Sequence, residues 1–341
     1  MSTAYVYDQL YLEHDTGQHP ENAGRLTAIM QTLENRGLLN ALPQVEARNA
    51  TQAELEAIHH KTYIEHVRHT ADGGGGWLDG DTYVSPSSYA AASLAAGGLI
   101  ALVDAIMRGE IDNGFALVRP PGHHAIAARG MGFCLFNNVA VAAAYALASH
   151  GLERVLIVDH DVHHGNGTAD LFYADPRVLY FSTHQYPHYP GTGGLTETGS
   201  GKGQGYTVNV PLPAGVGDHG YRRVFEEILA PIVGRYDPQL LLVSVGYDAH
   251  WRDPLASMRL SVTGYAQLAQ ILKDLAVETC GGKIAFTLEG GYDLEALACG
   301  VAATLEALSG REITDPLGPA QGSEPDISAL LQRIKAIHGI E

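Results

Sequence analysis

Residues 156–167 read LIVDHDVHHGNG, and this stretch carries more potential chemistry than any other in the chain. Leu156, Ile157 and Val158 form a short apolar, largely β-branched run, which predicts a buried strand. The chain then leaves through Asp159, Asp161 and His163. In an extended segment alternate side chains share a face, so these three point the same way. Polar groups at the C-terminal end of a strand are where open α/β sheets build their sites. Asp161 and His163 suit a borderline divalent ion such as Zn²⁺, which accepts carboxylate oxygen and imidazole nitrogen. Gly165 and Gly167 then permit a turn that side chains would obstruct. The same residues would also serve as a plain polar strand exit with no metal, so the remaining exits decide between the two.

Three other apolar runs end in polar groups. Residues 115–118 lead into Arg119-Pro120-Pro121-Gly122-His123-His124, Leu240–Val245 into Gly246-Tyr247-Asp248, and residues 283–288 into Glu289-Gly290-Gly291-Tyr292. In a parallel sheet all exits lie on one edge, so these groups can meet. Asp248 would be a third ligand, and three protein ligands leave a position open for water, as in a catalytic zinc site. The His123-His124 pair offers proton transfer. Each imidazole needs an orienting partner, and Asp159 and Asn166 are available. Tyr292, delivered after two glycines, can donate its hydroxyl to a developing oxyanion. Together these residues describe metal-assisted amide hydrolysis.

The elements that must hold them alternate. Helices are predicted over residues 25–37, within 51–70, and over 86–107, 137–149, 221–236, 263–279, 296–308 and 327–337. Further strands are predicted over 5–7, 178–182 and 207–210. Alternating strands and helices predict a parallel sheet covered on both faces. The Gly73–Gly76 run reads as a surface loop, followed by Trp77 and an acidic patch at Asp79 and Asp81. With Thr82 these acids would form either a substrate-reading rim or a solvated loop. No linker or internal repeat interrupts the chain. One domain over residues 1–341 is expected, with a core of about 15–310 and residues 311–341 packed on it as a C-terminal extension.

Composition agrees. Hydrophobic residues make up 45%, enough for a large core, and 38 acidic residues against 21 basic ones give a formal charge of −17. Non-specific nucleic-acid binding needs clustered Lys and Arg and is not expected. A cationic substrate would be favoured. Cys134, Cys280 and Cys299 suggest neither a disulfide framework nor a cysteine-rich zinc site. With no basic region and long apolar run at the N-terminus, a cytoplasmic location is expected. Residues 93–107 are apolar but short and contain Asp104, which reads as a buried helix rather than a membrane span.

At these motifs the chain resembles the arginase–deacetylase superfamily in its histone deacetylase branch. The segments are Arg119-Pro120-Pro121-Gly122-His123-His124-Ala125, Gly132-Phe133-Cys134, Asp159 to Thr168, and Glu289-Gly290-Gly291-Tyr292. They are most similar to class II deacetylases and bacterial amidohydrolases, and the likeness runs from about Asp15 to about Leu308. The resemblance implies a single-domain arginase/deacetylase fold with a central parallel sheet of about eight strands, flanked by helices on both faces. It implies one catalytic Zn²⁺ on Asp161, His163 and Asp248. His124 would move the proton and pair with Asn166. His123 would give electrostatic support and pair with Asp159, and Tyr292 would hold the scissile carbonyl. Gly132 would accept the substrate amide N–H, Phe133 and Tyr189 would wall a tunnel, and Arg25 would line an inner product cavity. Potassium is implied at Asp159, Asp161, His163, Ser182 and Thr183, and at Phe172, Asp175, Val178 and Tyr206.

The chain departs from the family pattern at some positions. Asn166 stands where class I members have Asp. Tyr292 stands where many vertebrate class II members have His, which argues for activity on acetyl groups. Tyr189 replaces the usual Phe. His160 is unusual in its motif and, by alternation, faces the core. Leu255 follows Asp253-Pro254, where polyamine-specific relatives can carry an acid. The expected substrate is an acyl-lysine peptide or protein. An acetylated polyamine or other small amide is the alternative, and a non-catalytic acyl-lysine-binding module or an arginase-like two-manganese hydrolase fits less well. The oligomeric state is left open.

Overall fold

The computed structural model describes residues 2–341. Among the described residues ten strands occur: β1 (Thr3–Val6), β2 (Gln44–Val45), β3 (Gly76–Trp77), β4 (Tyr83–Val84), β5 (Asn113–Ala116), β6 (Val155–Asp159), β7 (Val178–Gln185), β8 (Thr207–Leu212), β9 (Leu240–Val245) and β10 (Ile284–Leu288). Eight form one sheet in the order β2-β1-β5-β10-β9-β6-β7-β8. Every pairing in it is parallel. Each residue of β5, β6, β9 and β10 is buried, as expected for strands covered on both faces.

Helices Gly24–Asn35, Leu294–Ser309 and Val262–Cys280 pack side by side as one layer, and Ser88–Met107 with Asn138–Ser149 belongs to the other. Ser88–Met107 is long and apolar enough to cross a membrane, but 83% of its apolar 18-residue stretch is buried inside this fold. Two glycines explain how it packs so closely. A Cβ at Gly97 would land on the carbonyl of Arg48, and one at Gly98 would meet the Tyr11 hydroxyl at 2.7 Å. The C-terminal helix Ser328–His338 docks through Arg223 Nη1 to Ser328 Oγ at 3.1 Å and Lys335 to Glu227 at 3.2 Å. All three cysteines are buried and free.

Local pattern located the main elements, mostly missed their ends, and did not reveal β2 or the short helices Leu38–Ala41 and Asn166–Leu171. β7 runs on to Gln185, because Thr183, His184 and Gln185 pair with Val210, Pro211 and Leu212. Its polar tail lies beyond the strand expected over 178–182, yet every residue of the strand is buried. β5 stops at Ala116, where its partner β1 also ends. The glycine run ends in a small hairpin of β3 and β4. The helix expected from residue 221 starts at Asp218 and contains a π turn over Phe225–Leu229. The close approach at Gly97 has a direct consequence. Gly97→Ala should destabilise the chain by about 2 kcal/mol or more, since the contact is with backbone rather than a movable side chain; a lower urea midpoint at unchanged m-value would register it.

Candidate active site

The exits of β5, β10, β9 and β6 are four neighbours at the centre of the sheet. They carry, in that order, His123/His124, Tyr292, Asp248, and Asp161/His163. β6 ends at Asp159, so Asp161 and His163 lie in the turn beyond it rather than on the strand. His160 faces the opposite side, against Phe225 and Tyr265 at centroid distances of 6.3 and 6.0 Å. Burial lowers its pKa to about 4.

Ligand atoms of Asp161, His163 and Asp248 lie within 4.8 Å of one another, and all three residues are buried. His163 Nδ1 is 3.1 Å from Asp161 Oδ1 and 3.2 Å from Asp248 Oδ2. The remaining oxygens are committed. Gly290 N–H donates to Asp161 Oδ2 at 2.8 Å, and Val162 N–H to Asp248 Oδ1 at 2.9 Å. Asp248 Oδ2 is buried and receives no hydrogen bond. A Cβ at Gly246 or Gly290 would collide with these carboxylates, so only glycine lets the two loops close in. Burial lowers the His163 pKa, but the two aspartates outweigh it and push it up to about 10. The three residues thus form a small, anionic, nitrogen-and-oxygen pocket that demands a cation, and this donor set fits Zn²⁺.

A second group with metal-ligand chemistry, His123, Cys134 and Glu289, also lies within 4.8 Å. Burial keeps the Cys134 thiol well above its ordinary pKa, and the Glu289 oxygens already accept hydrogen bonds. This group does not present a free donor set.

The two histidines are ordered by different partners. His123 Nδ1 meets Asp159 Oδ2 at 3.1 Å, and Tyr180 donates its hydroxyl to the same oxygen at 2.9 Å. His124 Nδ1 meets Asn166 Oδ1 at 2.8 Å. Burial lowers both ring pKa values, but Asp159 and Asp161 push His123 up to about 10. For His124, burial beside His123 and His163 outweighs the opposing pull of Asp161 and Asn166 and holds the ring well below the ordinary range. The two rings, with centroids 4.0 Å apart, are thus shifted in opposite directions, His123 towards the charged form and His124 towards the neutral one.

Above them lies a pocket of about 200 Å³ whose lining includes His123, His124, His163, Gly132, Phe133, Tyr189, Leu255 and Tyr292. Phe133 is in the left-handed region at φ 71°, which costs about 1 kcal/mol or more for a residue with a Cβ. It is held there by Thr82 Oγ1, which accepts its N–H at 3.2 Å, and by the His19 ring at 4.3 Å. The Phe133 and Tyr292 rings meet edge-on at 5.9 Å, and Tyr189 meets His124 the same way at 5.1 Å.

Some lining and supporting residues escaped the sequence, while Asp81 and Arg25 were legible in it. His188 lines the pocket with its ring 5.1 Å from His163; it reads as an ordinary surface histidine in sequence. Asp81 also lines the pocket. Asp253 accepts the Tyr292 N–H at 2.7 Å. Arg25 donates to the carbonyls of Gly291 and Glu289 at 2.8 and 2.5 Å, and its guanidinium lies 5.2 Å from the Tyr292 ring centre. Its charge is balanced by Glu21 at 3.2 Å. Glu21 also binds Arg119 at 2.5 and 3.0 Å.

Sheet, exits and donor set together define an α/β protein of the arginase/deacetylase fold with a nitrogen-and-oxygen metal pocket at the sheet edge. A family model described as "Histone deacetylase domain" matches residues 19–308. "Histone deacetylase 14, chloroplastic" of Arabidopsis thaliana is 42% identical over 349 residues, covering 96% of this chain and 82% of its own length. "Histone deacetylase-like amidohydrolase" of Pseudomonas aeruginosa is 38% identical over 341 residues, covering 92% of this chain and 88% of its own. "Polyamine deacetylase HDAC10" of Homo sapiens is 41% identical over 98% of this chain, which spans 52% of that protein. The crystal structure of the HDA15 HD domain superposes with a TM-score of 0.89 at 39% identity, covering 99% of this chain and 94% of that one. The chain belongs to the histone deacetylase family, whose members are zinc-dependent hydrolases.

Glu21 gives the site an acid limit. Burial alone would raise its pKa, but Arg119, His14 and Arg25 outweigh that and bring it from 4.5 to about 2. A carboxylate lowered in the folded state contributes stability above its unfolded pKa and loses it as pH falls towards the folded one. That contribution is about 3 kcal/mol, present in full above about pH 5 and lost by about pH 2. Glu21→Gln should lower the urea midpoint at neutral pH and flatten its decline on acidification. Parallel slopes for variant and parent would contradict this.

Proposed function

We propose that the chain hydrolyses the amide of an acyl-lysine side chain in a peptide or protein, releasing a carboxylate and a free amine. The observation that carries this reading is that His163, which clusters with Asp161 and Asp248, lines one pocket together with His123, His124 and Tyr292. Zn²⁺ held by Asp161, His163 and Asp248 would polarise the substrate carbonyl and lower the pKa of a water in its open position.

The rest is the work of side chains. His124 is neutral and directs Nδ1 at Asn166, so its Nε2 is the basic nitrogen. It removes a proton from the attacking water and passes it to the departing amine as the carbon–nitrogen bond breaks. His123, charged and paired with Asp159, stabilises the negative charge that builds up on the carbonyl oxygen. Tyr292, kept protonated by burial, donates its hydroxyl to that oxygen. The Gly132 carbonyl would take the substrate amide N–H, while Phe133, Tyr189 and Leu255 would enclose the aliphatic stem. Arg25 braces the Tyr292 loop from behind and, in this reading, borders the space through which the acid leaves.

Potassium is part of the same reading. Ser182 pairs with Asp159 across β6 and β7, and Thr183 follows it, so with Asp161 and His163 these residues would make up the first set. In the second set, the carbonyls of Phe172, Asp175 and Tyr206 accept one hydrogen bond each and retain a second lone pair for a cation, with Val178 completing the set.

An acetylated polyamine is the second reading. The Asp81 carboxylate in the lining and the overall acidity favour a cationic substrate. Leu255 in that lining is apolar and does not add a second charge.

Tyr292→Phe should lower kcat on an acetyl-lysine peptide by about 100-fold or more. His124→Ala should cost about 100-fold or more. Removing metal with a chelator should abolish turnover and Zn²⁺ should restore it. A full rate in either variant would refute the mechanism. Comparing kcat/KM for the peptide with that for acetylputrescine distinguishes the two substrate readings.

A further inference from the structure

Glu289 is a fully buried carboxylate at the site with no part in the chemistry above. Burying such a group is costly unless hydrogen bonds compensate. Its partners are neutral. Oε2 accepts the N–H groups of Gly122 at 2.7 Å and His123 at 3.2 Å, and Oε1 accepts the Ser244 hydroxyl at 2.8 Å. We propose that Glu289 is a positioning residue that fixes the His123–His124 pair against the metal-ligand loops; the inference rests on the hydrolytic reading of the site.

The sheet explains how one side chain does this. β10 lies between β5 and β9, and Glu289 is the first residue beyond it. Its N–H donates to Val245 O of β9 at 2.9 Å, and its carbonyl accepts from Arg25 at 2.5 Å. The backbone is therefore fixed on both sides before the side chain reaches out. One oxygen then grips the β5 exit while the other grips Ser244 on β9. From the other side Gly122 is pressed against the start of the following helix; a Cβ there would meet Asn138 N at 2.5 Å and Phe136 O at 2.7 Å. The Gly122 amide is thus clamped between a helix terminus and the Glu289 carboxylate. His123 and His124 follow it directly, so any shift of this amide displaces both rings from Asp161 and His163.

The contact depends on reach and acceptor geometry rather than on charge, and three variants distinguish these. Glu289→Gln keeps the reach and one acceptor oxygen for both N–H groups. Glu289→Asp keeps the charge but falls one methylene short, and Glu289→Ala removes both. On an acetyl-lysine peptide, Gln should keep kcat within about threefold of the parent, while Asp and Ala lose about 100-fold in kcat with KM changed less than about threefold. Zinc content should stay at the parent level in all three. Amide hydrogen exchange over residues 122–124 should speed up in Asp and Ala but not in Gln, a readout independent of turnover. If Ala does not fold, the Gln and Asp pair decides. Full kcat in Asp, a Gln variant as impaired as Asp, or loss of zinc together with kcat would each overturn the proposal. A parent enzyme inert towards acyl-lysine would instead refute the functional reading and leave the exchange result standing.

Discussion

Asp161 and Asp248 lie fully buried within reach of a single imidazole, and the rest of the site answers the cost of keeping them there. Removing an ionised carboxylate from water costs several kcal/mol even after relaxation. Two side by side repel each other as well, which would drive one to take up a proton. The surroundings counter this. Gly290 and Val162 donate backbone N–H groups, His163 stands between the two acids, and His123 carries a charge held by Asp159. What remains is Asp248 Oδ2, which receives no hydrogen bond and has only the His163 ring, 3.2 Å away, beside it. A divalent cation completes that arrangement in a way that no single proton can.

The same electrostatic logic governs the layer behind. Arg119 belongs to the segment that delivers His123 and His124, and Arg25 holds the carbonyls on either side of Gly290. One buried carboxylate, Glu21, joins them. The two loops that bring His123, His124 and Tyr292 are thereby tied to a common carboxylate. Asp253 does the same for the Tyr292 backbone from the neighbouring loop. These contacts join residues on different strand exits, and adjacency of β5, β10, β9 and β6 is what makes them short.

That adjacency also separates what the sequence reveals from what it hides. The strand into Asp159 and the inward turn of His160 follow from local alternation over a few residues. Asp161, His163, His123, His124 and Tyr292 stand out because their types are unusual where apolar runs end. Glu289 was visible as part of a motif, but its role depends on β10 lying between β5 and β9, and strand order is not written in any local pattern. The Tyr180 hydroxyl on Asp159 is hidden for the same reason. β7 looked short because Thr183, His184 and Gln185 are polar, and their burial follows from β8 continuing beside them. His188 carries no signal at all, since its place in the pocket is set by how a loop folds over His163.

Floor and walls of the pocket therefore answer to different constraints. The floor is made from strand exits whose polar atoms are almost all engaged, and whose glycines admit no side chain. Altering a residue there leaves a buried charge or amide without a partner, which costs about 1–3 kcal/mol for a neutral group and more for an ion. The walls are made from loops. Tyr189 is 39% exposed, Leu255 and His188 are half-buried, and Phe133 depends on Thr82 and His19 for its strained backbone. Substitutions in these positions lose contact area rather than a required partner. The reaction is accordingly specified where the sheet is rigid, and the choice of acyl group and of the chain that bears it is specified where the loops are free to differ.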